Sequence, residues 1–274
     1  MTIAAGLLCT DGIVICADTE QTLGDSKYDR PKIFPRGDWL LVTGSGSTDY
    51  IKMAFDKLSE KFEQGGPENP SQIRRTVEEL MLEIFNQHIL PFHQAKHPNP
   101  PALDLIVGVR CQDGQLALVK GVDSAATLSS HYEVIGMGWH LFEYWAKYFF
   151  IAPMSTDVAG YFCMFILREV KAAAYACGGS SHVFKLMKDP KTAKSFTTFW
   201  EDTSILTGFP KSVSDILVSC ANLSLPVAAV DSQLEGFNQS VKQLRQYFES
   251  RKDMKDRAET PYTVTASVIL KSQT

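Results

Sequence analysis

Thr2 directly follows Met1, so removal of a single residue would produce an N-terminal threonine. A threonine hydroxyl is a weak nucleophile at neutral pH. A free α-amino group on the same residue has a reference pKa of about 7.7 to 8.0 and can accept the hydroxyl proton. Nucleophile and base would then belong to one residue, and no histidine would be required. Many proteins begin with Met-Thr by chance, so this position needs support from further residues.

The elements that would position Thr2 begin with a predicted hairpin. The apolar runs IAAGLLC and GIVICAD are joined through Asp11-Gly12, a turn signal at hairpin spacing. A second strand pair, 32–34 and 39–43, flanks the turn 35–38. Apolar residues at helical spacing then predict helices over 48–62 and about 71–88.

The second half of the chain again predicts strands followed by helices. Strands in LDLIVGVRC and QLALVKGVD, with a third near 132–136, predict a meander. We expect helices over 141–151 and 156–176, a strand over 182–187, a polar helix around 233–254 and a terminal strand in TVTASVILK. Without a linker or repeat, the chain is expected to form one α+β domain over 1–274, with antiparallel sheets packed between helix layers.

Several segments in this order carry a family resemblance. TIAAGLLCTDGIVICADTEQTLG, PKIF and VTGSGSTDY, followed by two helices and a meander, resemble the β-type subunits of the proteasome core and their bacterial relatives. These proteins are N-terminal nucleophile hydrolases. The resemblance implies a four-layer αββα sandwich of two antiparallel sheets between helix layers. It is closest over 2–62, continues in layout to about 189, and leaves a divergent C-terminal extension from about 190.

The resemblance implies a catalytic role for four residues. Thr2 matches the nucleophile, Asp18 the acidic residue that ends the second strand, and Lys32 the active-site lysine. Gly46 matches the glycine whose backbone N–H faces the developing oxyanion, at the family's own spacing from the lysine. Taken singly, the charged residues could form a surface ion pair and the glycine could be part of a turn. Their common order and register favour the catalytic interpretation.

The second half of the implied site departs from the family pattern. Active members usually carry a serine after a glycine-rich strand end, where this chain reads Gly136-Met137-Gly138-Trp139. They also carry Asp-x-x-Ser-Gly-Gly after a helix. Here Cys177 or Gly178 stands at the aspartate position, and Ser180 or Ser181 at the position of its serine. We expect Cys177 to be buried rather than nucleophilic, because no basic residue adjoins it.

The resemblance also implies where a substrate would bind. The implied substrate-binding residues are Glu20, Thr22, Gly46 and Thr48, and Glu20 predicts a preference for basic or small P1 residues. The first hypothesis is a threonine-type amide hydrolase, expected to act on peptides or proteins within a homo-oligomeric ring or filament. The alternatives are a non-catalytic proteasome-like scaffold or assembly subunit and a small-molecule amidase. The sequence does not indicate whether the protein has an ATPase partner.

Composition limits the other partners. The net charge of −4 and pI of about 5.9 give no reason to expect nucleic acid or an anionic membrane as a partner. No long uncharged apolar run or signal peptide is evident, which predicts a cytoplasmic protein. No cofactor is implied. The cluster His88, His93 and His97 is interpreted as a solvated helix end rather than a metal site, because Pro91 is expected to interrupt the helix. The scattered cysteines predict reduced, buried thiols.

Overall fold

A computed structural model describes residues 2–23, 26–62, 66–149, 154–175 and 177–190, with short stretches between 231 and 246. The chain divides into two compact units, Met1–Glu201 and Asp202–Thr274. In the second unit the described residues are helical, as predicted for 233–254, whereas the predicted terminal strand lies outside the described residues. A single domain over 1–274, with a divergent extension from about 190, stays a prediction.

The first unit is built from antiparallel strands and helices. Its described strands are β1 (Ile3–Leu8), β2 (Gly12–Asp18), β3 (Glu20–Leu23), β4 (Ser26–Asp29), β5 (Ile33–Arg36), β6 (Leu40–Gly46), β7 (Leu103–Arg110), β8 (Leu116–Val122), β9 (Ala125–Ser129), β10 (Tyr132–Gly136) and β11 (Ser181–Met187). Its described helices are α1 (Thr48–Lys61), α2 (Pro70–Ile84), α3 (Leu90–Gln94), α4 (Trp139–Phe149) and α5 (Thr156–Ala173), with a π-helical turn (Phe85–Ile89) between α2 and α3.

The strands form three antiparallel sheets among the described residues. The first has the order β10-β1-β2-β11, the second pairs β3 with β4, and the third has the order β5-β6-β7-β8-β9. The predicted hairpin of β1 and β2 is present, with Ala4 opposite Ala17. This sheet brings the start of β1 beside the end of β2, and thus Thr2 towards Asp18.

The predicted meander differs from the observed sheet. Its third strand is β9, which pairs with β8, whereas β10 crosses to the other sheet and pairs with β1. The tight turn before β9 contains Asp123, whose φ of 54° lies in the left-handed region without a glycine to signal it. Sequence inspection therefore missed β9.

The second helix also differs from its prediction. Asn69 caps α2 by accepting a hydrogen bond from the Gln72 backbone N–H over 3.0 Å. The predicted interruption at Pro91 is wrong, because helical backbone continues to Gln94. Pro91 falls in the first turn of α3, where a backbone N–H has no intrahelical acceptor, and the preceding π-helical turn accommodates the change of register.

Three apolar clusters form the core among the described residues of this unit. One joins α1 and α2 to the five-stranded sheet, through residues such as Leu58, Val77 and Val107. Another joins the four-stranded sheet to α4 and α5. Because neighbouring strand residues face opposite sides, Ile3 belongs to that second cluster, while Ala4 belongs to a third that also contains Ile106 of β7. This arrangement agrees with the predicted α+β class.

Within the described ranges, none of the helices combines the length and apolar character that crossing a membrane requires.

Candidate active site

A buried ion pair lies at the end of β2. Lys32 Nζ donates to Asp18 Oδ1 over 2.7 Å, with the two side chains 11% and 0% exposed. Two backbone groups also donate to this carboxylate: Ile3 N–H to Oδ1 and Gly178 N–H to Oδ2, each over 3.1 Å. The carboxylate is thus held by three elements, and the amide of Ile3 is the one that directly follows Thr2.

Lys32 is held from two further directions. Its Nζ donates to the Glu20 carbonyl over 2.5 Å, and its own carbonyl accepts from Thr43 Oγ1 on β6 over 2.9 Å. The lysine therefore connects β2, β3 and β6. This fixed position distinguishes it from the solvated surface charge that the sequence alone allowed.

Burial acts on both members of the pair. Desolvation raises the pKa of Asp18, while Lys32 and the hydrogen bonds to the carboxylate oppose that rise. Desolvation lowers the pKa of Lys32, and the neighbouring Asp18 carboxylate opposes that fall. An ammonium group whose proton is held less tightly, beside a carboxylate, suits an acid-base site.

Thr2 is buried at the start of β1, 8% exposed. Its carbonyl lies against Gly136, whose φ is 88° and where an added Cβ would come within 2.1 Å of Thr2 O. Only a glycine permits this approach without a shift of the backbone. Thr2 is thus enclosed between the end of β10 and the Asp18 carboxylate.

Gly46 ends β6 with an exposed backbone and a φ of 104°. An added Cβ there would lie 2.0 Å from the Ala102 carbonyl oxygen, so a side chain is excluded on two grounds. Ile33, next to Lys32, pairs with Thr43 three residues before this glycine. Lys32 and Gly46 are therefore carried by adjacent segments.

The segment before β11 supplies the remaining candidates. Cys177 is 5% exposed, and burial, together with the nearby Asp18 charge, raises its pKa to about 11, so the thiol stays protonated at neutral pH. A Cβ at Gly178 would lie 2.4 Å from Glu20 Oε2, so any side chain there would require the Glu20 carboxylate to move.

The two serine candidates have different surroundings. Ser180 Oγ donates to Asp29 Oδ2 over 3.2 Å, and its carbonyl accepts from Thr19 N and Thr19 Oγ1. Ser181 lies opposite Asp18 in the β2–β11 ladder and is 3% exposed. Its hydroxyl has no hydrogen-bond partner among the described residues. Of the two, Ser181 lies beside the ion pair.

The implied substrate-binding residues lie on two segments. Glu20 forms an ion pair with Lys27 over 2.9 Å, and Thr22 lies opposite Lys27 in the β3–β4 ladder. Thr48 begins α1, where its hydroxyl accepts from Gln21 Nε2 over 2.7 Å. Neither this hydrogen bond nor the Lys27 partner of Glu20 is evident from the sequence, because both depend on which segments meet in space.

The three clustered histidines each contact a different aromatic ring: His88 contacts Tyr50, His93 contacts Phe85, and His97 contacts Phe92. Among the described residues, no three His, Cys, Asp or Glu side chains converge in a way that could hold a metal ion.

Comparison with known proteins finds a solved structure of similar fold. No protein-family model and no curated protein matches the sequence. The solved structure of a mutant of Anbu from Hyphomicrobium sp. strain MC1 is similar, with a TM-score of 0.63 and 12% sequence identity, over 82% of this chain and 99% of that one. Anbu is a bacterial proteasome-like N-terminal nucleophile hydrolase. At this identity the likeness concerns the fold alone, and that fold is compatible with the family that the sequence resembles.

Proposed function

We propose that this chain is a threonine-type amide hydrolase in which cleavage after Met1 frees Thr2. The observation that carries the proposal is the buried Asp18–Lys32 pair, bonded at 3.1 Å to the amide that follows Thr2. A charged pair is expensive to bury, and here it adjoins the residue that would become the N-terminus. The proteasome-like fold of Anbu supports the same class.

The proposed reaction uses the new α-amine as the base. Lys32 would favour loss of the amine's proton by charge repulsion, while Asp18 would balance and orient the lysine. The amine would take the proton from the Thr2 hydroxyl, which would attack the substrate carbonyl carbon. The Gly46 N–H would donate to the developing oxyanion, a contribution of about 3 to 4 kcal/mol for one aimed donor. The α-ammonium would return this proton to the leaving nitrogen as the C–N bond breaks, so that the amine product leaves and the α-amine is neutral again. Water activated by the same α-amine would then hydrolyse the ester, which releases the acid product and restores the Thr2 hydroxyl.

The finer features of the proposal follow from the resemblance. They are a four-layer αββα sandwich, a homo-oligomeric ring or filament in the cytoplasm, and peptides or proteins as substrates. Glu20 would favour basic or small P1 residues, although its pairing with Lys27 lowers the negative charge available to a substrate. Comparing cleavage of peptides with Lys, Leu and Asp at P1 checks this preference, and faster cleavage after Asp would contradict it.

A non-catalytic scaffold is the second candidate function. It is favoured by the absence of a hydroxyl or carboxylate side chain at Gly136, Gly138, Cys177 and Gly178, where family members support the threonine. It leaves the buried Asp18–Lys32 pair without an evident purpose. A small-molecule amidase would use the same chemistry on a different substrate.

The test is the intact mass of the purified protein before and after treatment with a peptide epoxyketone, which reacts with an amine and a hydroxyl on one residue. We expect loss of one methionine and a stoichiometric adduct that maps to Thr2. A Thr2→Ala variant, treated identically, is the control and should remain unmodified. Retention of Met1 without an adduct would favour the scaffold.

A further inference from the structure

One side-chain hydrogen bond connects the two segments that carry the proposed substrate-binding residues. Gln21 Nε2, from the second residue of β3, donates to Thr48 Oγ1, at the first residue of α1, over 2.7 Å. β3 pairs with β4 in a two-stranded sheet, whereas the strand that leads into α1 belongs to the five-stranded sheet. The bond therefore connects two segments that belong to different sheets.

The backbone at both ends of this bridge is held firmly. Next to Gln21, the Glu20 carbonyl accepts from Lys32 Nζ over 2.5 Å and the Glu20 N–H donates to the Gly178 carbonyl over 3.1 Å. Two residues before Thr48, Gly46 lies against the Ala102 carbonyl, with an added Cβ at only 2.0 Å. Both segments are thus anchored, so rotation of the Gln21 side chain would break the bond without moving either backbone.

The bridge is also inexpensive to break. Both residues are half-buried, so water can replace the lost partner. A neutral hydrogen bond in such a place contributes little net free energy, because protein–water bonds are exchanged for it. The bond does not satisfy a backbone group of α1, since it joins only the side chains of Gln21 and Thr48.

We propose that the Gln21–Thr48 hydrogen bond is a gate across the substrate cleft, closed in the free protein and opened when an extended peptide-like substrate enters. This inference rests on the proposed function, because it places the substrate between the segment that contains Glu20 and Gln21 and the segment from Gly46 to Thr48. It makes Gln21 a residue that controls access rather than one that takes part in the chemistry.

Two nearly isosteric variants remove the bond from either side. Thr48→Val deletes the acceptor, and Gln21→Met deletes the donor while keeping the side-chain length. Each should accelerate labelling by an epoxyketone with alanine and leucine side chains about 3- to 10-fold, the range expected for one neutral hydrogen bond. The double variant should gain no more than either single variant, because both remove the same bond. Lys57→Met, which removes an exposed ion pair between α1 and Glu83 of α2, is the matched control and should leave the rate unchanged.

A second measurement separates the gate from the chemistry. In a Thr2→Ala background, fluorescence anisotropy would give the affinity of a fluorescein-labelled peptide of the same sequence. Tighter binding in the two gate variants supports the gate, even if no adduct forms on Thr2, in which case the proposed function alone fails. Labelling and affinity that are equal in all variants would overturn the gate while leaving the hydrolase intact. Weaker binding in the gate variants, or no binding and no labelling in any variant, would also overturn it.

Discussion

The two sides of the candidate site differ in the chemical groups that they contribute. On the side of β2 and Lys32, a carboxylate and an ammonium group are buried together, and the carboxylate accepts hydrogen bonds from that ammonium and from two backbone N–H groups. On the side of β10, the segment before β11 and the first residue of β11, the chain contributes glycines, a protonated thiol and the Ser181 hydroxyl. The first side offers charge, and the second offers close packing of backbone.

This difference indicates how a freed Thr2 would be supported. Charge stabilisation would come from Asp18 and Lys32, while the end of β10 would hold the residue by direct contact, with Gly136 against the Thr2 carbonyl. A serine at position 138 would not fit without adjustment, because a Cβ there lies 2.6 Å from the Val170 side chain and 3.1 Å from Ile3 Cβ. Four experiments test whether the two sides of the site contribute in these different ways.

The largest effect is expected from removing the nucleophile. Thr2→Ala should lower turnover by about 10³-fold or more, because no other group would form the ester. Thr2→Ser should retain partial activity, which reflects the geometry of the hydroxyl. Steady-state hydrolysis of a peptide substrate measures both, and circular dichroism checks that the fold is kept. Unchanged turnover in Thr2→Ala would eliminate the proposed nucleophile.

Breaking the charged side should affect both activity and stability. Lys32→Met should reduce turnover by about 10²-fold or more, since it removes the charge that favours a neutral amine. It should also lower the free energy of unfolding by about 3 kcal/mol, because Asp18 is left buried without its cation. Turnover assays and urea unfolding measure the two effects.

Controls for this variant separate charge from packing. The double variant Asp18→Asn, Lys32→Met should recover part of the stability but not the activity. Lys57→Met, in an exposed pair, should change the free energy of unfolding by less than about 1 kcal/mol. If Lys32→Met and Lys57→Met behave alike, the buried pair has no special role.

A substitution at Gly136 would disrupt the close packing of the β10 end against Thr2. Gly136→Ala combines an unfavourable φ of 88° with an approach of 2.1 Å to the Thr2 carbonyl oxygen. Gly114→Ala has a similar φ of 79° but meets nothing within 4 Å, so it isolates the conformational cost. We expect Gly136→Ala to reduce the free energy of unfolding by about 2 kcal/mol more than Gly114→Ala, measured by urea unfolding. Slower epoxyketone labelling should accompany it, and equal destabilisation by the two variants would show that the contact is unimportant.

The smallest effect concerns His182, which follows Ser181 in β11. Burial lowers its pKa below the usual 6.5, although the neighbouring Asp29 charge opposes this. As the pH falls below 6.5, the unfolded chain binds a proton that the folded chain does not, so the free energy of unfolding decreases until the folded-state pKa is reached. His182→Gln should flatten this dependence by about 1 kcal/mol or less between pH 7.5 and 5.5, because the half-buried ring is partly screened. Urea unfolding across that range tests it, with exposed His131→Gln as the control, and an identical slope in His182→Gln would contradict the assignment.

Local patterns were sufficient where neighbouring residues in sequence decide the structure. The apolar runs on either side of Asp11-Gly12 predict the hairpin of β1 and β2, and the helical spacing of apolar residues predicts α1; both are present. Local patterns were insufficient where partners are distant. β10 was assigned to a meander because strand-like sequence does not state which strand it joins, and the continued helix across Pro91 depended on a π-helical turn that no residue type signals.

By itself, the sequence determined the order of most strands and helices, the presence of Thr2 and Asp18, and the spacing between Lys32 and Gly46. These properties are carried by residue type and by short-range periodicity, which act within one element. Only the tertiary structure decided that Lys32 reaches both Asp18 and the Glu20 carbonyl, and that Gln21 meets Thr48. Such contacts join residues from different strands and helices, so their geometry exists only once the sheets have packed.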